Sequence, residues 1–232
     1  MNPIVVTIDG PAGAGKTTVS HLLAEHLGYK YIDTGALYRA VAFKAIARGL
    51  TPDDDEGLEN LCKNLQLEFI QNEMGLRLHA NGLDITDQIR TPIISMFASA
   101  VSARAVVRQY LLALQRSMGK VKGAVFEGRD MGTVVFPDAE VKFYLDASPK
   151  IRALRRFREL DTTDQSIEDV ERDINHRDKN DSSRVLAPLK PAQNAIRIDT
   201  THMTADEVVE QMLSHIKKRL FEPSDTHHSP QA

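Results

Sequence analysis

The chain has 232 residues, 42% hydrophobic and 26% charged, enough for one large α/β domain or one domain carrying an insert. With 29 Lys and Arg against 32 Asp and Glu, the formal net charge is −3, which argues against a binder of nucleic-acid polymers. A single cysteine, Cys62, rules out an internal disulfide and a cysteine-based metal site, and neither a signal peptide nor a membrane-spanning run is visible, so a cytoplasmic monomer is expected.

In chain order, Ile4 to Ile8 is short, β-branched and closed by Gly-Pro, which predicts a buried strand. A helix is expected over Lys16 to Leu27, a second strand over Tyr29 to Asp33, and a helix over Gly35 to Arg48. Asp53, Asp54 and Asp55 are placed to cap the next helix. From Leu65 to Arg90, short alternating runs separated by turn residues predict a small antiparallel insert. Helical periodicity then runs from Pro92 to Met118. Strands are expected at Ala124 to Glu127, Val141 to Asp146 and Ala195 to Ile198. Helices are expected over Pro149 to Leu160, Ile167 to Ser182 and Thr204 to Leu220. Residues 222–232 lack apolar anchors and read as a disordered tail.

Strands alternating with helices imply a parallel sheet covered on both faces. Ligands of such sheets lie beyond the carboxyl ends of the strands. Asp9, Asp33, Arg129, Asp130 and Asp146 are therefore expected at one edge.

Gly10-Pro11-Ala12-Gly13-Ala14-Gly15-Lys16-Thr17 satisfies G-x-x-x-x-G-K-[ST] between the first strand and the first helix, and Thr18 extends it. Loop N–H groups can wrap a β-phosphate, Lys16 can reach the β- and γ-phosphates, and the Thr17 hydroxyl can ligate Mg²⁺. No N-K-x-D base-reading element of a GTPase is present. Asp146 is the formal candidate for a metal-holding acid, although a cap before Ser148-Pro149 is the better reading.

Arginines lie at strand ends and along helices: Arg39, Arg129, Arg152, Arg155, Arg156 and Arg158. Arg177, Asp181 and Arg184 follow at i, i+4 and i+7, on one helical face. Arginine sets beyond the phosphate loop suggest a second phosphorylated ligand and phosphoryl transfer between the two. Asp33, closing the second strand, could orient Mg²⁺ through water or help place the acceptor phosphate.

The stretches TIDGPAGAGKTT, YIDTGALYRA, EGRDMGTVVFPDA, FYLDAS and RD…D…RxxAPL occur in the order found in bacterial cytidylate kinases, and the chain resembles that family over roughly residues 4 to 220. The resemblance implies an α/β fold, a P-loop NTPase-type parallel sheet flanked by helices with a small antiparallel insert. It places a core kinase domain at 1–64 and 91–221, with a lid at about 153–168, and an insert at 65–90 that binds the nucleoside monophosphate. It implies transfer of the γ-phosphoryl of ATP, with Mg²⁺, to CMP or dCMP. Thr34, Arg39, Arg129 and Arg184 would hold the acceptor phosphate, Ser99, Arg108 and Asp130 would read cytosine, and Arg177 and Asp181 would hold the sugar. Arg155 and Arg156 are the lid arginines expected to act with Lys16 and Arg129 in catalysis. A kinase of UMP or a sugar acid, or a nucleotide-sensing module without turnover, are the competing readings.

Overall fold

Val5–Asp9 (β1) and Ala124–Gly128 (β6) are buried at every position, which requires cover on both faces. The computed structural model describes residues 2–73, 75–159 and 165–221; the expected tail at 222–232 and the middle of the expected lid lie outside them. β1 and β6 sit inside a five-stranded sheet whose other members are Lys30–Asp33 (β2), Val141–Asp146 (β7) and Ile196–Asp199 (β8). The order is β2-β6-β1-β7-β8, and every ladder is parallel.

Alternation along the strands sorts the core into two faces. Val6, Ile8 and Val125 face Leu23 of helix Lys16–Leu27 (α1) and Val208 and Met212 of helix Ala205–Phe221 (α8). Val5, Ala124 and Phe126 face the opposite way, against Met131 and Val135. The register aligns the carboxyl ends: Asp33 pairs with Glu127, Asp9 with Gly128, and Asp146 with Asp199. Arg129 and Asp130 follow Gly128 directly. The expected clustering of charged residues at one edge is thus a product of strand register.

A second core joins helices Thr34–Ala47 (α2), Asp55–Lys63 (α3), Pro92–Val101 (α4) and Ala105–Gly119 (α5) to the insert. Leu67–Asn72 (β3), Gly75–Ala80 (β4) and Leu83–Asp84 (β5) form the insert's antiparallel sheet. Its β4–β5 turn has positive φ at both Asn81 and Gly82, as a tight hairpin demands. Leu67, Leu78 and Ala80 pack with Leu37, Leu58 and Leu111, so the insert shares its core with the helices.

Two local features depart from the sequence pattern. The periodicity running from Pro92 to Met118 is interrupted: α4 ends at Val101, and Arg104 is extended at φ −86°, ψ 129°. Arg104 forks onto Asp55 at the head of α3 at 2.8 and 2.5 Å, a tertiary contact that overrides helical propensity. Residues Met131–Val135, not assigned to any element from sequence, form a π-helical turn. Asp9 holds it, accepting from Met131 N at 2.8 Å and Gly132 N at 2.7 Å. The remaining helices, Pro149–Arg158 (α6) and Ile167–Ser183 (α7), pack together through Ala153, Val170 and Ile174.

Phe126 is fully buried at the centre of the sheet. Phe126→Ala should lower unfolding free energy by about 3–5 kcal/mol in urea titration; a loss below about 1 kcal/mol would contradict the sealed packing.

Candidate active site

The loop between β1 and α1 is shaped by exclusion. A Cβ at Gly10 would stand 2.0 Å from the Leu145 carbonyl oxygen, and one at Gly13, where φ is +73°, 2.6 Å from that of Arg152. Neither position admits a side chain. The loop is braced from behind by α6 and α7. Asp178 accepts from Ala12 N at 3.2 Å, while Arg152 donates to the Ala12 carbonyl at 3.0 Å and pairs with Asp178. Arg152 is buried, so this member of the arginine-rich helix is part of the loop's support.

Lys16 opens α1, is buried, and donates to the Pro11 carbonyl at 2.6 Å. Burial, then the nearby Arg129 charge, push its ammonium down to about 7. Thr17 donates to Glu127 at 3.0 Å, and the Tyr31 hydroxyl donates to the same carboxylate at 2.6 Å. Glu127 was not singled out from sequence; its signal was an acidic residue ending an apolar strand. Asp146 sits at the exposed end of β7 and accepts from Ala147 N at 2.8 Å; it does not form the cap expected from sequence, since α6 has Ser148 at its N-cap with no side-chain cap hydrogen bond.

Among the described residues no group of three His, Cys, Asp or Glu could enclose a metal. A hydroxyl beside one carboxylate suits Mg²⁺, which takes few protein ligands and completes its shell with phosphates and water. Thr17 and Glu127 fit that requirement.

Across the edge lies a cationic cluster. Arg39 pairs with Asp33 at 2.7 Å, and Asp33 also caps α2 through Ala36 N at 3.1 Å. Thr34 donates to the Glu127 carbonyl at 2.6 Å. Asp181 stands between Arg129, at 3.4 Å, and Arg184, at 3.5 Å. The buried Nε atoms of Arg39, Arg129 and Arg177 have no hydrogen-bond partner. Burial, followed by Arg129, lowers the Arg177 guanidinium to about 10. Buried cations this close together are a setting that suits an anion as counter-charge. Arg177 and Asp181 lie on α7, but the helix ends at Ser183; Arg184 is its extended cap, not a third residue on the helical face.

Beyond the cluster, Arg108 pairs with Asp130, which is 3% exposed. Burial raises the Asp130 carboxyl above its ordinary range, against the pull of Arg108 and Arg184. Arg108 lies 5.7 Å over the Tyr38 ring. A cavity of about 200 Å³ adjoins the pair, lined in part by Tyr38, Leu112, Gln115 and Val134. Ser99 is half-buried on α4, and its carbonyl accepts from Ser102. Asp9, burial-raised to about 7, links the loop to the turn that follows Asp130.

The expected lid arginines differ in setting. Arg155 donates to the Thr200 hydroxyl at 2.8 Å and its carbonyl at 2.7 Å, and the Thr200 hydroxyl is 3.2 Å from the Ala14 carbonyl. Arg155 therefore stands beside the phosphate loop. Arg156 pairs with Glu159 at 2.9 Å, near enough to Arg177 for the charges to repel.

Lys16, with its proton lost near pH 7, should regain it beside an anion. Tripolyphosphate binding at pH 8 should therefore take up as much as one proton, and affinity should fall as pH rises above 7. Calorimetry in buffers of unlike ionisation heat checks this; identical enthalpies would contradict it.

The family described as Cytidylate kinase matches residues 6–218. A cytidylate kinase of Geobacter sulfurreducens is 49% identical over 218 residues, covering 93% of this chain and 94% of that protein. One of Ligilactobacillus salivarius is 45% identical over 216 residues, covering 92% and 96%. Among solved structures, a shikimate kinase of Acinetobacter baumannii superposes with a TM-score of 0.50 at 16% identity, covering 95% of this chain and 97% of that one. An uncharacterised protein of Eubacterium ventriosum does so with 0.51 at 11%, covering 92% and 98%. At such identities the shared property is the fold, a parallel sheet flanked by helices. The sequence match spans the phosphate loop, the cationic cluster and the Arg108–Asp130 pair alike, and the chain belongs to the cytidylate kinase family.

Proposed function

We infer that the chain transfers the γ-phosphoryl of ATP to CMP or dCMP, giving CDP or dCDP. Family membership supports the reaction. The observation that carries the acceptor's identity is the buried Arg108–Asp130 pair beside a cationic cluster, a base reader next to an anion site. Among the described residues no helix is long and apolar enough to cross a membrane. In this reading the enzyme is a monomer of the cytoplasm.

In this reading the loop N–H groups of residues 10–18 and Lys16 hold the phosphates of ATP. Thr17, with Glu127 behind it, would hold Mg²⁺, which when bound would supply positive charge against the phosphate oxygens. Thr34, Arg39, Arg129 and Arg184 hold the acceptor phosphate. Asp33 acts through Arg39, whose guanidinium it orients. Arg177 and Asp181 take the sugar, and Ser99 supports the base reader.

Asp130 accepts from the N4 amino group of cytosine, while Arg108 donates toward N3 or O2. Uracil would set its O4 acceptor against the carboxylate, leaving a buried charge badly paired. The acceptor is already a phosphate anion, so no strong general base is needed. Rate enhancement comes from alignment and fixed positive charge. Lys16 and Arg129 face the transferred group, with Arg155 beside the loop and Arg156 approaching from α6.

Incubation with Mg-ATP and, separately, CMP, dCMP, UMP, AMP or a sugar acid should give ADP chiefly with the two cytidylates. No acceptor-dependent ADP would sink the reading, and equal rates with UMP would sink the role of Asp130. Lys16→Ala should lower kcat at least 100-fold, by analogy with losing a preorganised charge contact. Near-normal turnover in that variant would place the donor phosphates elsewhere.

A further inference from the structure

We propose that Ser102 is a positioning residue for the acceptor, joining the base-reading arginine to the phosphate-binding arginine through one buried residue. The inference rests on the acceptor roles assigned to Arg108 and Arg184.

Ser102 is 6% exposed and forms the C-cap of α4. Its hydroxyl is held from both sides. Arg184 donates to it at 2.8 Å, and it donates to the Ser99 carbonyl at 2.7 Å. Because a guanidinium only donates, the hydroxyl must accept there, and its single proton goes to Ser99. The arrangement is polarised in one direction.

The backbone of the same residue serves the other arginine. A helix leaves its last carbonyls without intrahelical partners. The break at Arg104, held by Asp55, makes Ser102 such a terminal residue, and Arg108 donates to its carbonyl at 2.9 Å. A continuous helix from Pro92 to Met118 would direct that carbonyl to a backbone N–H. Arg108 and Arg184 come from sequence positions far apart, yet both converge on Ser102. Arg184 is further held by the Ala187 carbonyl at 3.0 Å.

A nucleoside monophosphate must satisfy base and phosphate contacts at once, so their separation matters as much as either contact. Ser102 sets that separation. Among the described residues its hydroxyl bonds to Ser99 and Arg184 and to nothing in the phosphate loop.

Ser102→Ala removes the hydroxyl and keeps the carbonyl. It should raise KM for CMP about tenfold, the usual loss for a hydrogen bond to a charged group, and leave KM for Mg-ATP within about twofold. Ser102→Thr, which restores the hydroxyl, should return KM for CMP towards the wild-type value. Wild-type turnover of CMP in the same series reports separately on the assigned reaction, and thermal melting monitors folding. An unchanged KM for CMP in Ser102→Ala, or a rise in KM for Mg-ATP in step with it, would overturn the proposal.

Discussion

Lys16, Arg39, Arg129 and Arg177 crowd the carboxyl edge of one parallel sheet, and their mutual repulsion is the constraint on which the site depends. Burial and neighbouring cations lower the Lys16 and Arg177 proton affinities together. The nearby carboxylates are shared or otherwise engaged: Asp33 caps a helix, Asp178 braces a loop, and Asp9 holds a turn. Such a cleft is costly for the free protein and favourable for a multiply charged anion. The two well-packed cores on either side hold these charges in place.

The same logic explains why support is concentrated behind the phosphate loop. Backbone amides can face a phosphate only if the loop's other side is fastened. Arg152 and Asp178 fasten Ala12, while Thr200 and Arg155 lie behind Ala14. These contacts join α6, α7 and the turn after β8 to a loop more than 130 residues earlier in the chain. Arginine on α6 therefore supports the loop at two points, Arg152 at Ala12 and Arg155 at the Thr200 that backs Ala14.

The parts of this arrangement legible in the sequence are those written locally. The phosphate loop has fixed spacing, the strands are apolar runs bounded by turn residues, and the hairpin insert alternates. Parallel topology then brought the strand-end charges together without further information. Glu127 escaped notice because its meaning comes from Thr17 and Tyr31, each on another element. Ser102 escaped because apolar periodicity runs through the helix break, which is set by Asp55, 49 residues before Arg104. Arg184 was placed on a helical face because i+7 spacing carries no mark of the cap that ends α7.

The hydrogen bonds from Met131 and Gly132 to Asp9 have a mechanical consequence. Asp9 directly precedes Gly10, and Asp130 directly precedes Met131. One carboxylate thus rivets the root of the phosphate loop to the segment that follows Asp130, with both of its oxygens engaged. The span from the phosphate loop to Asp130 is therefore carried by the sheet itself and not by the helices packed around it.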